Sequence, residues 1–174
     1  YECWADRTAT FMILGEVCTR PCGFCLVDTR KPLPLDPEEP ARVAEAIAHL
    51  GLEHAVITSV ARDDIDDGGA AGFAATIHAA RARTPNTTIE VLVPDFQGDR
   101  AALQIVLDAR PDVLNHNIET VPRMYRMARP GGRYDRALEL LDRARTYAPS
   151  IPTKSGLMLG LGETREEVLS VIRD

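Results

Sequence analysis

Short apolar runs alternate along the chain with longer segments in which apolar residues recur every three or four positions. The apolar runs predict five β-strands, at residues 8–14, 54–60, 88–93, 112–115 and 153–159. The periodic segments predict five helices, at residues 38–50, 70–83, 100–109, 134–147 and from 164 to the end of the chain. Since one helix separates each pair of successive strands, the strands should run parallel and be joined by right-handed crossovers.

Capping residues mark the ends of two of these helices. Asp36 is a candidate N-cap for the first helix, with Pro37 in its first turn and Gly51 as its C-terminal stop. Thr164 is a candidate N-cap for the last helix. About five βα units are too few for the eight of a closed TIM barrel, so we predict a truncated, partial parallel barrel of the α/β class. Functional residues are then expected in the loops at the C-terminal ends of the strands.

Composition and charge exclude several classes of protein. The chain has 174 residues, of which 45% are hydrophobic and 26% charged, as expected of one globular domain. A net charge of −6 argues against binding to nucleic acid or to an anionic membrane surface. No apolar stretch is long enough to predict a membrane helix. Residues 1–7 show neither a signal peptide nor an initiator Met, so we interpret the chain as cut out of a longer, cytoplasmic protein.

Three of the four cysteines lie within eight residues, directly after the first predicted strand. Cys18, Cys22 and Cys25 form a C-x3-C-x2-C pattern, and three thiolates on one short loop can bind three irons of a 4Fe-4S cluster. The fourth iron would remain open to a small molecule. A zinc site is the alternative, although its usual second pair of ligands is missing nearby, and His116 is the one histidine placed to share this face. Inert or disulfide-forming cysteines are a third possibility.

The cysteine pattern, with Phe24 before its last cysteine, resembles the signature of radical S-adenosylmethionine enzymes. Other segments recur in the right order along essentially the whole chain and narrow the resemblance to the lipoyl synthase family. These segments are residues 1–4, 9–15, 18–20, 59–64, 67–70, 115–122 and 154–164. The resemblance implies a partial (β/α)6 barrel that these residues do not complete, and a single radical S-adenosylmethionine core domain over residues 1–174.

The resemblance also implies the cofactors and their contacts. Cys18, Cys22 and Cys25 would hold a 4Fe-4S cluster that binds S-adenosylmethionine at its open iron, where reductive cleavage gives methionine and a 5′-deoxyadenosyl radical. Further cofactor contacts would come from the strand-to-helix loops, namely Phe24, Asp63, Asp64, Gly68, Gly69, Asn117, Glu119 and Gly160. No individual catalytic residue is assigned.

Each of these loop residues also has a structural interpretation. Acidic loop residues are usually solvated, Asn commonly stabilises turns, and glycines permit tight packing without any ligand. His116 is interpreted as structural. Lys154, in the middle of a predicted strand, would be a buried charge that needs a partner.

The resemblance to lipoyl synthases further implies a second, auxiliary 4Fe-4S cluster that is the source of sulfur. Cys3 is its one ligand in this sequence, and residues 1–7 would be a remnant of the segment that binds it. The remaining ligands would precede residue 1 and follow residue 174. We therefore expect the 174 residues alone to be incompetent for full turnover and to be of marginal stability.

The function implied by the resemblance is insertion of two sulfur atoms, at C6 and C8, into a protein-bound octanoyl group. The implied partners are octanoylated lipoyl carrier domains, of the 2-oxoacid dehydrogenase E2 or glycine cleavage H protein type, and a reductant such as ferredoxin or flavodoxin. The loop bearing Arg126, Arg129 and Arg133 is a candidate docking surface for a carrier. The alternatives are a biotin-synthase-like radical enzyme and a non-redox, zinc-binding α/β module.

Overall fold

The computed structural model describes residues 5–174, which form one parallel sheet with helices packed on it. The strands are β1 (Thr8–Ile13), β2 (His54–Ser59), β3 (Thr88–Leu92), β4 (Val113–Asn115) and β5 (Thr153–Lys154). They lie side by side in chain order, and every neighbouring pair is parallel. This topology confirms the predicted α/β class and the predicted run of five βα units.

In the described residues, six α-helices connect or follow the strands. They are α1 (Glu39–Leu50), α2 (Ala70–Arg83), α3 (Arg100–Asp108), α4 (Tyr125–Ala128), α5 (Tyr134–Tyr147) and α6 (Arg165–Arg173). The one-turn α4 was not predicted, because four residues are too few to show a helical period. None of the helices in the described part of the chain has the length and apolar character needed to cross a membrane.

The predicted capping residues are partly right. Gly51 ends α1 in the left-handed conformation, as expected. Thr164 caps α6 through a reciprocal capping box with Glu167, whose side chain accepts a hydrogen bond from the Thr164 N–H. The expected N-cap role of Asp36 is wrong, because α1 begins at Glu39 and its N-cap is Glu38. Asp36 instead closes a turn ahead of the helix by accepting a hydrogen bond from the Glu38 N–H.

One core forms between the outer face of the sheet and the helices. Alternate strand residues point into it: Ala55 and Ile57 of β2 are fully buried, whereas His54, Val56 and Thr58 are only partly buried. The largest fully buried apolar residues of the strands and helices are Ile13, Ile47, Ile57, Phe73, Ile77, Ile89, Leu114, Val91 and Val106. Burial is therefore concentrated on one face of the sheet, and the opposite, inner face is left partly open.

The inner face carries a polar cluster centred on the carboxylate of Glu90, which is 3% exposed. Lys154 Nζ donates to it at 2.9 Å and Asn115 Nδ2 at 3.1 Å, and His54 Nε2 lies 3.2 Å from its other oxygen. Burial alone would raise the pKa of Glu90, but the hydrogen bonds from Lys154 and Asn115 outweigh this effect and lower it. Glu90 is thus the partner of Lys154, but the expectation that Lys154 is a buried charge is wrong, because its side chain is 57% exposed at the open inner face.

Strand β5 is much shorter than the predicted residues 153–159. Its neighbour β4 has only three residues, so the pairing ends after Lys154, opposite Asn115. Beyond that point a single bridge joins Glu119 to Leu157, and Leu159 is 68% exposed. The apolar run therefore continues as a loop at the C-terminal edge of the sheet rather than as a strand.

Candidate active site

The three neighbouring cysteines lie on the loop that follows β1, and their side chains line one cleft of about 270 Å³ at the C-terminal edge of the sheet. Cys18 and Cys22 are half-buried, and Cys25 is exposed. All three are free thiols. This edge is where the carboxyl ends of parallel strands bring functional loops together, as the sequence predicted.

Backbone hydrogen bonds fix the first cysteine in place. Cys18 Sγ accepts from the N–H of Ala61 at 3.3 Å and from that of Arg20 at 3.4 Å. The hydroxyl of Thr19 donates to the carbonyl of Ala61, and the N–H of Asp63 donates back to that hydroxyl. The loop after β2 thereby holds the start of the cysteine loop.

The opposite wall of the cleft comes from the segment after β4. It contributes Asn117 and Glu119, two of the predicted contacts, together with Arg129. Glu119 has a φ of 70°, a left-handed conformation that is uncommon for residues other than glycine. Its N–H donates to the carbonyl of Gly156, and its own carbonyl accepts from the N–H of Met158. The strained backbone is thus held from both sides, as is frequent at functional sites.

Burial changes the acidity of groups in this cleft. It raises the pKa of the Cys22 thiol, an effect opposed by the nearby Arg129 guanidinium. Burial also raises the pKa of Glu119, and Arg129 again acts in the opposite direction. Arg129 donates a hydrogen bond to the carbonyl of Asn117 at 2.9 Å, which holds its charge beside both groups. The cleft therefore combines thiols with the carboxyl group of Glu119 and the positive charge of Arg129.

Phe24 also lines the cleft, next to Cys25, and is 37% exposed. An aromatic ring on this loop offers a flat apolar surface to a heteroaromatic ligand. The structure therefore places three of the predicted contacts beyond the cysteines, Phe24, Asn117 and Glu119, around the same cleft.

Asp63 and Asp64 do not line this cleft. Arg20 donates to both oxygens of Asp63, at 2.6 and 2.7 Å, and Arg62 donates to both oxygens of Asp64, at 2.8 and 2.9 Å. Both carboxylates are occupied by bidentate ion pairs within the protein. Their present partners favour a structural interpretation of these two residues.

The three predicted glycines also lie outside the cleft lining. A Cβ on Gly69 would come within 2.3 Å of Leu14 Cδ1, and one on Gly68 within 3.1 Å of Phe96 Cδ1. These two glycines permit close packing between loops rather than close approach of a ligand. Gly160, at a φ of 100°, has open space around it, and its N–H donates to the Glu163 carboxylate.

His116 is completely buried, and its Nδ1 lies 2.8 Å from the carbonyl oxygen of Val93. Burial, together with the charge of Arg129, lowers its pKa to about 4, so the imidazole is neutral at physiological pH. This environment agrees with the structural role that the sequence suggested. The fourth cysteine, Cys3, lies outside the described residues.

Two arginines of the cleft were not predicted to belong to it. Arg129 was placed on a docking surface together with Arg126 and Arg133, but the structure turns it inward, whereas the other two are exposed. Arg20 lies within the cysteine motif, whose spacing indicates no role for it. The structure places it in the lining of the same cleft, with 7% of its surface exposed. Loop arginines are usually solvated, so only the three-dimensional arrangement could identify these two.

Comparison with known proteins agrees with this geometry. Residues 12–174 match the model of the Radical SAM superfamily, so the chain belongs to that superfamily. Membership implies a 4Fe-4S cluster and S-adenosylmethionine as cofactors.

Among curated proteins the chain is similar to lipoyl synthases. It is 60% identical to the lipoyl synthase of Rubrobacter xylanophilus over 173 residues, which are 99% of this chain and 54% of that protein. It is 57% identical to the lipoyl synthase of Caldanaerobacter subterraneus over 173 residues, covering 99% of this chain and 61% of the relative. The chain thus spans little more than half the length of the curated relatives that it matches.

Solved structures of more distant proteins share the fold. Methylornithine synthase superposes with a TM-score of 0.68 at 17% identity, over 94% of this chain and 48% of that one. The [FeFe]-hydrogenase maturase HydG superposes with a TM-score of 0.74 at 16% identity, over 95% of this chain and 37% of that one. These similarities support the partial barrel fold.

The donor set of the cysteine loop fits an iron-sulfur cluster. Three free thiols face one cleft, and the two backbone N–H groups that point at Cys18 Sγ are the type of contact that tunes cluster sulfurs. In the described residues, no three His, Cys, Asp or Glu side chains are grouped as ligands of one metal ion. Thiols that each bind a different iron have no need to converge on a single ion.

Proposed function

We propose that this chain is the radical S-adenosylmethionine core of a lipoyl synthase, which inserts two sulfur atoms at C6 and C8 of a protein-bound octanoyl group. The observation that supports this proposal most strongly is the cleft in which Cys18, Cys22 and Cys25 face Asn117 and Glu119. The identity of 57–60% to lipoyl synthases over nearly all of the chain supports this particular reaction over that of other superfamily members.

We assign the three loop cysteines as ligands of the 4Fe-4S cluster, which leaves one iron open. When bound and reduced, this cluster supplies the electron that cleaves S-adenosylmethionine. Phe24 would pack against the adenine, and Asn117 would hydrogen-bond the ribose or the amino-acid part of the cofactor. Glu119 would accept hydrogen bonds from the same ligand, with Arg129 balancing its charge.

For Asp63, Asp64, Gly68 and Gly69 we propose an indirect role, in which they shape the loop next to the cysteines. Gly160 lies at the edge of the sheet where the segment from residue 155 to 163 passes the β4 loop. With a φ of 100° and no neighbour within 4 Å of a Cβ, it leaves room for a ligand. We therefore retain Gly160 as a cofactor contact.

Full turnover requires more than this cleft. We propose that Cys3 is one ligand of an auxiliary 4Fe-4S cluster that provides the sulfur, in a segment of which residues 1–7 are a remnant. The partners would be octanoylated lipoyl carrier domains, of the E2 or H protein type, and a ferredoxin or flavodoxin as reductant. The free thiols support a reducing, cytoplasmic location.

The test is anaerobic reconstitution of the chain with iron and sulfide, followed by electron paramagnetic resonance of the dithionite-reduced protein. We expect a reduced 4Fe-4S signal that changes when S-adenosylmethionine is added, because the cofactor binds at the open iron. A colourless protein that retains zinc would contradict the proposal and favour the non-redox module.

Two cysteine variants separate the two clusters. Cys22→Ala should abolish reductive cleavage of S-adenosylmethionine, measured as formation of 5′-deoxyadenosine, because it removes one of the three ligands. Cys3→Ala is the matched control and should retain this cleavage, since Cys3 belongs to the auxiliary site. Equal loss in both variants would show that the assignment of ligands is wrong.

A further inference from the structure

A partly buried network of charges is attached to the cysteine loop. Its centre is the guanidinium of Arg20, between Cys18 and Cys22 in the sequence and 7% exposed. Nε and Nη2 of Arg20 donate to the two oxygens of Asp63, and Nη2 also lies 2.7 Å from Asp95 Oδ1. The second oxygen of Asp95 accepts from Arg136 at 3.1 Å. Two arginines and two aspartates therefore form one connected cluster.

The network joins parts of the chain that are far apart in sequence. Arg20 lies on the loop after β1, Asp63 on the loop after β2, Asp95 on the loop after β3, and Arg136 in α5. Asp95 is only 2% exposed and also accepts a hydrogen bond from the N–H of Gln97. The side chain of Arg20 thus joins the cysteine loop to the loops after β2 and β3, and Asp95 extends the connection to α5.

The chemistry of the network requires an arginine at position 20. Burial would lower the pKa of its guanidinium, but the hydrogen bonds to Asp63 and Asp95 outweigh burial and raise it. Only a guanidinium has the planar fork of donors that binds one carboxylate through two atoms and a second carboxylate at the same time. The ammonium group of a lysine is a single donor centre and cannot reproduce this arrangement.

The backbone of Arg20 makes a second connection to the cysteines. Its N–H donates to Cys18 Sγ at 3.4 Å, and its carbonyl accepts from the N–H of Cys22 at 3.1 Å. Any displacement of Arg20 would therefore be transmitted to the first two cysteines. The side chain fixes the residue, and the backbone of the same residue orients the thiols.

We propose that Arg20 is a positioning residue for the iron-sulfur cluster, which it serves by locking the cysteine loop onto Asp63 and Asp95. This inference rests on the proposed cluster site and adds a residue that acts through the ligands rather than on the cofactor. Partners that orient metal ligands typically change metal affinity by about 10- to 100-fold when they are removed. Loss of the ion pairs of Arg20 with Asp63 and Asp95 should therefore weaken retention of the cluster while the fold remains intact.

The experiment compares wild type with Arg20→Lys after anaerobic reconstitution. The readouts are the rate at which an iron chelator removes the cluster, the paramagnetic resonance spectrum of the reduced cluster, and the thermal unfolding curve of the apoprotein. We expect cluster loss to be about 10-fold faster in Arg20→Lys, with an altered spectrum and a folded apoprotein. Wild type that forms no cluster would contradict the proposed function itself, independently of Arg20.

Arg81→Lys is the matched control, because Arg81 pairs with Asp112 at 2.7 Å at the opposite end of the sheet. This variant should lose its cluster at the wild-type rate. If Arg20→Lys does not fold, Asp63→Asn provides the second test. This substitution preserves the size of the side chain and removes one of the two ion pairs of Arg20. Cluster loss at the wild-type rate in the folded Arg20 or Asp63 variant, or equal acceleration in Arg81→Lys, would overturn the inference.

Discussion

At the scale of single residues, burial decides which polar groups keep their solution chemistry. His116 has no exposed surface, and one of its ring nitrogens, Nε2, has no hydrogen-bonding partner in the described part of the chain. Glu90, on the inner face of the sheet, is almost as buried but has three polar partners, and its pKa is lowered. A neutral form is thus imposed on the histidine and a charged form on the carboxylate.

The lowered pKa of His116 predicts a loss of stability in mild acid. The unfolded chain binds a proton on this histidine below pH 6.5, but the folded protein does so only near pH 4. The contribution of His116 to the unfolding free energy is therefore fully present above pH 6.5 and is lost as the pH drops from 6.5 to about 4. A shift of this size corresponds to about 3 kcal/mol of unfolding free energy.

Urea unfolding across this pH window measures the effect. His116→Asn removes the titrating group, so its unfolding free energy should depend less steeply on pH than that of wild type. The comparison uses the slope of the unfolding free energy against pH, because the substitution also changes the absolute value of that free energy. Parallel slopes for the two proteins would show that other groups cause the acid sensitivity.

At the scale of elements, local pattern predicted most helices and strands, because periodicity and capping depend on neighbours in sequence. Gly51 and Thr164 end and begin helices as expected. The length of β5 could not be predicted, since it is limited by the three residues of β4 rather than by its own apolar run. The cysteine loop was recognisable from its spacing, whereas the inward position of Arg129 depends on loops that meet only in the fold.

Gly69 connects the first and second βα units at the start of α2. Its φ is 90°, and a Cβ there would lie 2.3 Å from Leu14 Cδ1. Gly15 has a similar φ of 95° but no atom within 4 Å of a Cβ. The two glycines therefore share the same left-handed backbone conformation, which would strain any other residue, and differ in packing.

This pair predicts two different costs of substitution by alanine. Gly15→Ala should lower the unfolding free energy by about 1–2 kcal/mol, from the left-handed conformation alone. Gly69→Ala should lower it by roughly a further 1–3 kcal/mol, because Leu14 must move within a packed core. Denaturant unfolding of both variants provides the comparison. Similar losses in the two would mean that Leu14 adapts freely and that Gly69 has no packing role.

At the scale of the whole molecule, burial is uneven along the sheet. Helix α2 contributes five buried residues to the core, whereas α6 contributes none, and its Ile172 is 70% exposed. Strand β5 has two exposed residues and pairs with one neighbour among the described strands. The first three βα units therefore form the stable part of the molecule, and the candidate site lies on their loops together with the segment after β4.

This gradient predicts a matching gradient in amide hydrogen exchange. Amides of α2 and β2 should exchange only through global unfolding, because the elements around them are fully packed. Amides of α6 should exchange many-fold faster, since local opening of that helix exposes no buried side chain. Thr164→Ala offers an internal check: it removes the capping box and should speed exchange in α6 while leaving the rates in α2 unchanged. Slow exchange in α6, equal to that of α2, would show that the last βα unit unfolds together with the core rather than independently of it.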